Sequence, residues 1–160
     1  RLMAITAAAF ATNVAALSVT ITKADGSTGA LSIKALTDLP PAILARDCPV
    51  LYPRFQYQTG LSFEIVSTGT SPLMEKVWTA NYYFAQSQVG EGRFAQAHAN
   101  TLALNVDAIA AAIMAATFSL GVKHVEFSEA SDPDIVPGPD ELKFHGCALS
   151  LTVHDWLNTG

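Results

Sequence analysis

Residues 55–65, Phe-Gln-Tyr-Gln-Thr-Gly-Leu-Ser-Phe-Glu-Ile, carry Phe55, Tyr57, Leu61, Phe63 and Ile65 at odd positions, with Gln56, Gln58, Ser62 and Glu64 between them. Successive side chains of a β-strand point to opposite faces, so this period of two predicts a half-buried strand. The pattern returns over 77–87, where Trp78, Ala80, Tyr82 and Phe84 share one face and Gly90 and Gly92 end the run. It returns again over 142–157, with Cys147, Leu149, Leu151 and Val153 on one face and Ser150, Thr152 and His154 on the other. Val122 to Ser128 reads as a shorter strand, while Cys48 to Pro53 holds two prolines and is assigned to a sheet edge or a connection.

Between these strands lie two helical segments. Thr6 caps a first helix reaching about Leu17, with Phe10, Val14 and Leu17 spaced along one face. The second runs from Phe94 to Phe118, closed by Gly121, and from Leu104 to Ala116 its only charge is Asp107. A helix apolar on nearly all sides is expected to be buried on nearly all sides, by its own sheet or by a neighbouring subunit. Val19 and Ile21 start a small hairpin that turns at Asp25-Gly26 and returns over Ala30 to Ile33. Pro40 and Pro41 sit in the first turn of a short helix that Asp38 caps, and 68–72 and the proline-rich, acidic 129–141 are loops. The predicted fold is α+β, one domain over 1–160: a mostly antiparallel sheet packed against one long Ala-rich helix, with an N-terminal helix.

Composition narrows the function. Of 160 residues 50% are hydrophobic and only 14% charged, against roughly 25% charged in an average soluble domain. A domain this small exposes much of its surface, so neutral and apolar groups must face outward, where partner chains can cover them. The net charge of −5 and the lack of any Lys/Arg run argue against direct nucleic-acid recognition. The apolar N-terminal stretch is interrupted by Thr6, Thr12, Asn13 and Ser18, which favours a retained helix over a cleaved signal, and no stretch is long and apolar enough to span a bilayer.

Motifs for chemistry are sparse. His124 and Glu126 share a strand face, and His145 and His154 lie on the last strand with opposite parity, so a metal site or acid/base pair can be assembled from them. The sequence has no HExxH or Cys/His spacing of a zinc motif, and the expected role is a hydrogen-bonded surface or interface one. Cys48 and Cys147 stand alone, with packing the expected role of Cys147. With no GxSxG, GxGxxG or Walker pattern, no catalytic residue, cofactor or metal is assigned.

The order of parts carries a resemblance. An N-terminal helix, Leu39-Pro-Pro-Ala-Ile-Leu44 leading into Cys48-Pro-Val-Leu-Tyr-Pro53, two long strands, an Ala-rich helix and the closing Phe144-His-Gly-Cys-Ala-Leu-Ser-Leu-Thr-Val153 resemble the tail terminators and related head-to-tail completion proteins of long-tailed bacteriophages. The resemblance implies a non-enzymatic virion subunit, assembled in the host cytoplasm, that closes into a ring, typically hexameric. Such a ring caps the tail tube and joins it to the neck, meeting copies of itself, the tail tube protein and neck or connector proteins, while DNA passes through the lumen without specific binding and no membrane is involved. Neck stopper and adaptor rings share these features. Candidate interface residues are Asp25 and Gly26 on the hairpin tip, Asp107, Ile113 and Met114 on the helix, and Asp132, Asp134, Asp140 and Glu141 in the acidic segment. A long Ala-rich helix against antiparallel strands also resembles hot-dog thioesterases and dehydratases, which implies His98 and Asp107 as acid/base groups.

Overall fold

Thr6 starts the chain's first helix as expected: its hydroxyl accepts the Ala9 amide at 3.1 Å, and α1 spans Ala7–Ala15. The computed structural model describes residues 5–23, 25–69, 73–90, 95–118 and 122–158, with side chains described at all of these but 95–98, 123, 157 and 158. Phe10 and Val14 bury one face of α1, and the Phe10 ring meets Trp78 edge-on at 5.4 Å. β1 (Thr20–Thr22) and β2 (Thr28–Ala30) pair antiparallel, and β3 (Ser32–Ile33) then leaves the hairpin to pair parallel with Val50 and Leu51 of β4 (Val50–Ser67). β5 (Leu73–Gln88), α2 (Ala95–Ala115), β6 (Val122–Ala130), β7 (Asp134–Pro137) and β8 (Lys143–Asn158) complete the fold. The main sheet has the order β3-β4-β5-β8-β6, with β7 beside β8.

The expected α+β sheet on one long helix is corrected. Of the described residues 50% are strand and 21% helix, and the sheet curls into a half-barrel accompanied by two helices. One reason is strand length. β4 and β5 hydrogen-bond to each other from Val50↔Ala85 to Ser67↔Leu73, much further than the strands read from alternation alone. A second is that the acidic segment is not all loop: β6 reaches Ala130 and residues 134–137 form β7 against β8. A third lies in α2 itself, which buries Leu102, Asn105, Ile109 and Ile113 along one stripe and leaves Leu104, Asp107 and Met114 exposed. A stripe spaced by three and four residues covers only part of a sheet.

Two smaller expectations are also corrected. The prolines at 40 and 41 start no helix; the only helical turn between β3 and β4 is the 3-10 turn Ala45–Asp47. Cys48–Pro53 is no mere connection, since Val50 to Pro53 opens β4 and is buried between β3 and β5. Pro53 fits there because Leu51 accepts from Lys34 on the β3 side and Pro53, two residues on, turns its amide-less nitrogen to that same side, beyond the end of β3. Gly121 and Gly92 lie outside the described residues.

The core lies on the face predicted from parity. Trp78, Ala80, Tyr82 and Phe84 of β5 and Cys147, Leu149, Leu151 and Val153 of β8 are all buried against α1 and α2. Two polar devices lock it. Asn105 of α2 donates to the Thr22 carbonyl (2.8 Å) and to Gln86 Oε1 (2.7 Å) while its own oxygen accepts the Thr22 amide, which fastens the β1–β2 hairpin to helix and sheet. Lys76 and Asp155, paired across β5 and β8 on the core side, form a buried ion pair at 3.1 Å, and Lys76 also donates to the Ile5 carbonyl. A second, smaller core of Ile43, Val50, Tyr52, Ala85, Val136 and Phe144 packs the 35–49 segment and β7.

Candidate functional site

From Gln58 to Ser67 β4 is paired on one side only, with β5, and β5 is itself accompanied by β8 as far as Leu73↔Asn158. This stretch of β4 is an arm of edge strand that borders the far end of the sheet. At its base Tyr57 is buried, bonded through its hydroxyl to Tyr82 at 2.7 Å and set edge-on to the Tyr82 and Trp78 rings. Burial pushes both phenols above the ordinary tyrosine range, so they stay neutral hydrogen-bonding groups.

Beyond Tyr57 the alternation continues without a core to receive it. Leu61 and Phe63 are each 51% exposed, Ile65 and Val66 are exposed, and Phe55 at the base is fully so. Register shifts at 53/58, 59/62 and 65/67 bend the arm, and Gly60 takes φ +62°, the left-handed conformation a bulge asks of one residue. Since β3 pairs only with Val50 and Leu51, the outward edge of β4 past that point has no strand on it among the described residues. A long, apolar, uncovered edge is what isolated proteins avoid.

The other border of the sheet is β6, at the far end of the strand order. On the sheet face away from the helices, the side chains of β5, β6 and β8 are neutral or acidic. Asn81 donates to Thr59 Oγ1 (2.8 Å) and accepts from Ser150 (3.0 Å), Ser128 donates to the Ser150 carbonyl, and Glu75 and Glu126 supply negative charge. His124 and His154, opposite each other on β6 and β8, stack at 3.9 Å between the two glutamates.

The structure separates the residues singled out from sequence. Asp25 and Gly26 are exposed at the β1–β2 turn, where Asp25 accepts from the Ser27 amide and hydroxyl. Asp132, Asp134, Asp140 and Glu141 are exposed around β7, and Met114 and Asp107 are exposed on α2. Ile113 is corrected: it packs into the subunit's own core. Asp107 sits on the outer side of α2, and the side chain of His98 lies outside the described residues. Cys147 is buried and its thiol is pushed up to about 12, which leaves it protonated and inert at neutral pH, as a packing role requires. The arm was missed as a surface because alternation shows that a strand has an apolar face and not what covers it. The available signal was the near absence of charge from 55 to 66, where Glu64 is the only ionisable side chain other than Tyr57.

No helix among the described residues is long and apolar enough to cross a membrane. No protein-family model matches the chain, and no curated protein matches it.

Proposed function

We propose that the chain is a non-catalytic structural subunit that joins copies of itself into a closed ring, of the kind that terminates a phage tail tube and connects it to the neck. The arm carries this reading. Leu61, Phe63, Ile65 and Val66 lie exposed on an edge strand, and complete burial is worth about 1.5–3 kcal/mol for a large apolar side chain. An isolated subunit forgoes much of that, and a neighbour recovers it.

The arrangement favours a ring over a two-fold dimer. The free edge of β4 and the border strand β6 are different surfaces at the two ends of the strand order, and Leu104 and Met114 of α2 are further exposed apolar side chains. Unlike surfaces meeting head to tail build a ring whenever the rotation closes. The part of the face opposite the helices that the second core leaves uncovered suits a lumen, because the described side chains of β5, β6 and β8 there are mainly amides, hydroxyls, imidazoles and carboxylates, with Arg54 of β4, over the Tyr83 ring, as a cation at its margin.

The double variant Leu61→Asp/Phe63→Asp tests the reading. Both side chains are half exposed in the subunit, so the expected change in its melting temperature is small. Two buried charges at each interface are expected to weaken self-association at least about 100-fold, read by sedimentation velocity. Unchanged self-association would overturn the role of the arm.

A further inference from the structure

One cluster on the face opposite the helices has a geometry that assembly does not call for. On β6, His124 and Glu126 are two residues apart and face the same way, and His154 stands directly opposite His124 on β8. One ligand atom from each lies within 4.8 Å of the others. Glu75, from β5, approaches His154 from the other side.

The hydrogen bonds orient these groups. His154 Nδ1 lies 2.8 Å from Glu75 Oε1, and an ionised carboxylate only accepts, so Nδ1 carries the proton. In the neutral ring this leaves a lone pair on Nε2, which is buried, makes no hydrogen bond and has Glu126 Oε2 at 3.7 Å. His124 Nε2 is 3.1 Å from Glu126 Oε1. A lone pair turned toward a carboxylate oxygen is an acceptor facing an acceptor, a conflict that either a second ring proton or a metal ion between them removes. Carboxylate to Nδ1–H with Nε2 free is also how proteins fix a metal-binding imidazole.

We propose that His124, Glu126 and His154 bind a divalent transition-metal ion such as Zn2+, with Glu75 positioning His154. Zinc ligands at about 2.0–2.1 Å in tetrahedral array stand about 3.3 Å apart; Glu126 Oε1 is 3.1 Å from His124 Nε2 and Glu126 Oε2 is 3.7 Å from His154 Nε2, so the carboxylate meets the ion with both oxygens or turns to offer one. The stacked rings require one adjustment: His124 tilts so that its lone pair converges with that of His154, and its side chain, 43% exposed, has room to do so. His124 and Glu126 are open to solvent, so an ion reaches them directly. Three protein ligands leave a fourth position for water or for a group from another chain. The ion ties border strand β6 to β8, and through Glu75 to β5.

The test uses the full chain stripped of metal with a chelator. Zn2+ is titrated by calorimetry and Co2+ by visible absorption. One equivalent per chain is expected, with Co2+ d–d bands of a nitrogen/oxygen site, and a melting temperature raised by about 5–10 °C when Zn2+ exceeds its Kd about 100-fold. His154→Gln and the more exposed Glu126→Gln are each expected to abolish the Co2+ bands. Glu75→Gln is expected to weaken binding about 10-fold at unchanged stoichiometry, and His145→Gln to leave it intact. No saturable binding, equal binding in His154→Gln and Glu126→Gln, or thiolate charge-transfer bands pointing to Cys48 or Cys147 would each overturn the site.

Discussion

Replacing Lys76 by Met is expected to remove about 3–5 kcal/mol of folding stability at neutral pH, the cost of stranding a buried charge. Asp155 is fully buried, and after Lys76 is removed it keeps the Trp78 indole N–H at 3.4 Å but no cation. Burial already holds the Asp155 carboxyl above the usual carboxylate range, and the pull of Lys76 and Trp78 in the other direction does not cancel it. A carboxyl whose pKa is raised by folding binds its proton more tightly in the folded chain. Its contribution to stability is therefore complete below the unfolded pKa and is lost as pH rises through the folded one. Without Lys76 the folded pKa climbs further, so the penalty is greatest at neutral pH and shrinks on acidification. Urea unfolding at pH 5 and pH 7.5 checks this, and adding Asp155→Asn to the Met variant is expected to restore stability at pH 7.5 and flatten the pH dependence.

Gly146→Ala is the second large effect. Gly146 lies in β8 between Ala85 of β5 and Asp134 of β7, beside the register shift at 85/87. A methyl group there runs into the Phe84 carbonyl oxygen and presses on Val136 at 3.1 Å. Backbone held in a paired strand cannot turn aside as a side chain does, so β5 and β8 must separate where the two cores meet. The expected loss is roughly 3 kcal/mol or more, seen as a lowered urea midpoint or failure to fold. Gly29→Ala is the control. The added methyl meets only the flexible end of Lys23, and the expected loss is under about 1 kcal/mol.

Both devices bear on what a sequence reveals. The parity that placed Trp78 and Val153 in the core also places Lys76 and Asp155 there, one strand position further along each face. Two opposite charges on core-facing positions of different strands were thus a readable sign of a buried pair. The apolar faces of β5 and β8 and the stripe of α1 followed from local periodicity, which packing then used. The balance of sheet to helix did not, because the extension of β4 and β5 and the formation of β7 depend on hydrogen bonds to residues distant in sequence. The all-round apolarity of α2 misled for a related reason: alanines tolerate solvent as well as burial, so Ala111 and Ala115 are exposed where burial was expected. Of the candidate surfaces, the hairpin tip, the acidic segment and Met114 were legible as exposed. The arm was not, since Phe63 in a half-buried strand and Phe63 on an uncovered one have the same neighbours in sequence. His124, Glu126 and His154 were each visible, but their meeting depended on the β6–β8 register.

The most direct test of the ring reading is the native mass of the purified chain, followed by analytical ultracentrifugation from low micromolar to millimolar concentration, with and without preformed tail tubes. The account predicts a ring-sized oligomer that forms as concentration rises, or a monomer that tail tubes convert to rings. A species that stays monomeric at every concentration and ignores the tubes, or a dimer whose mass never changes, would contradict it.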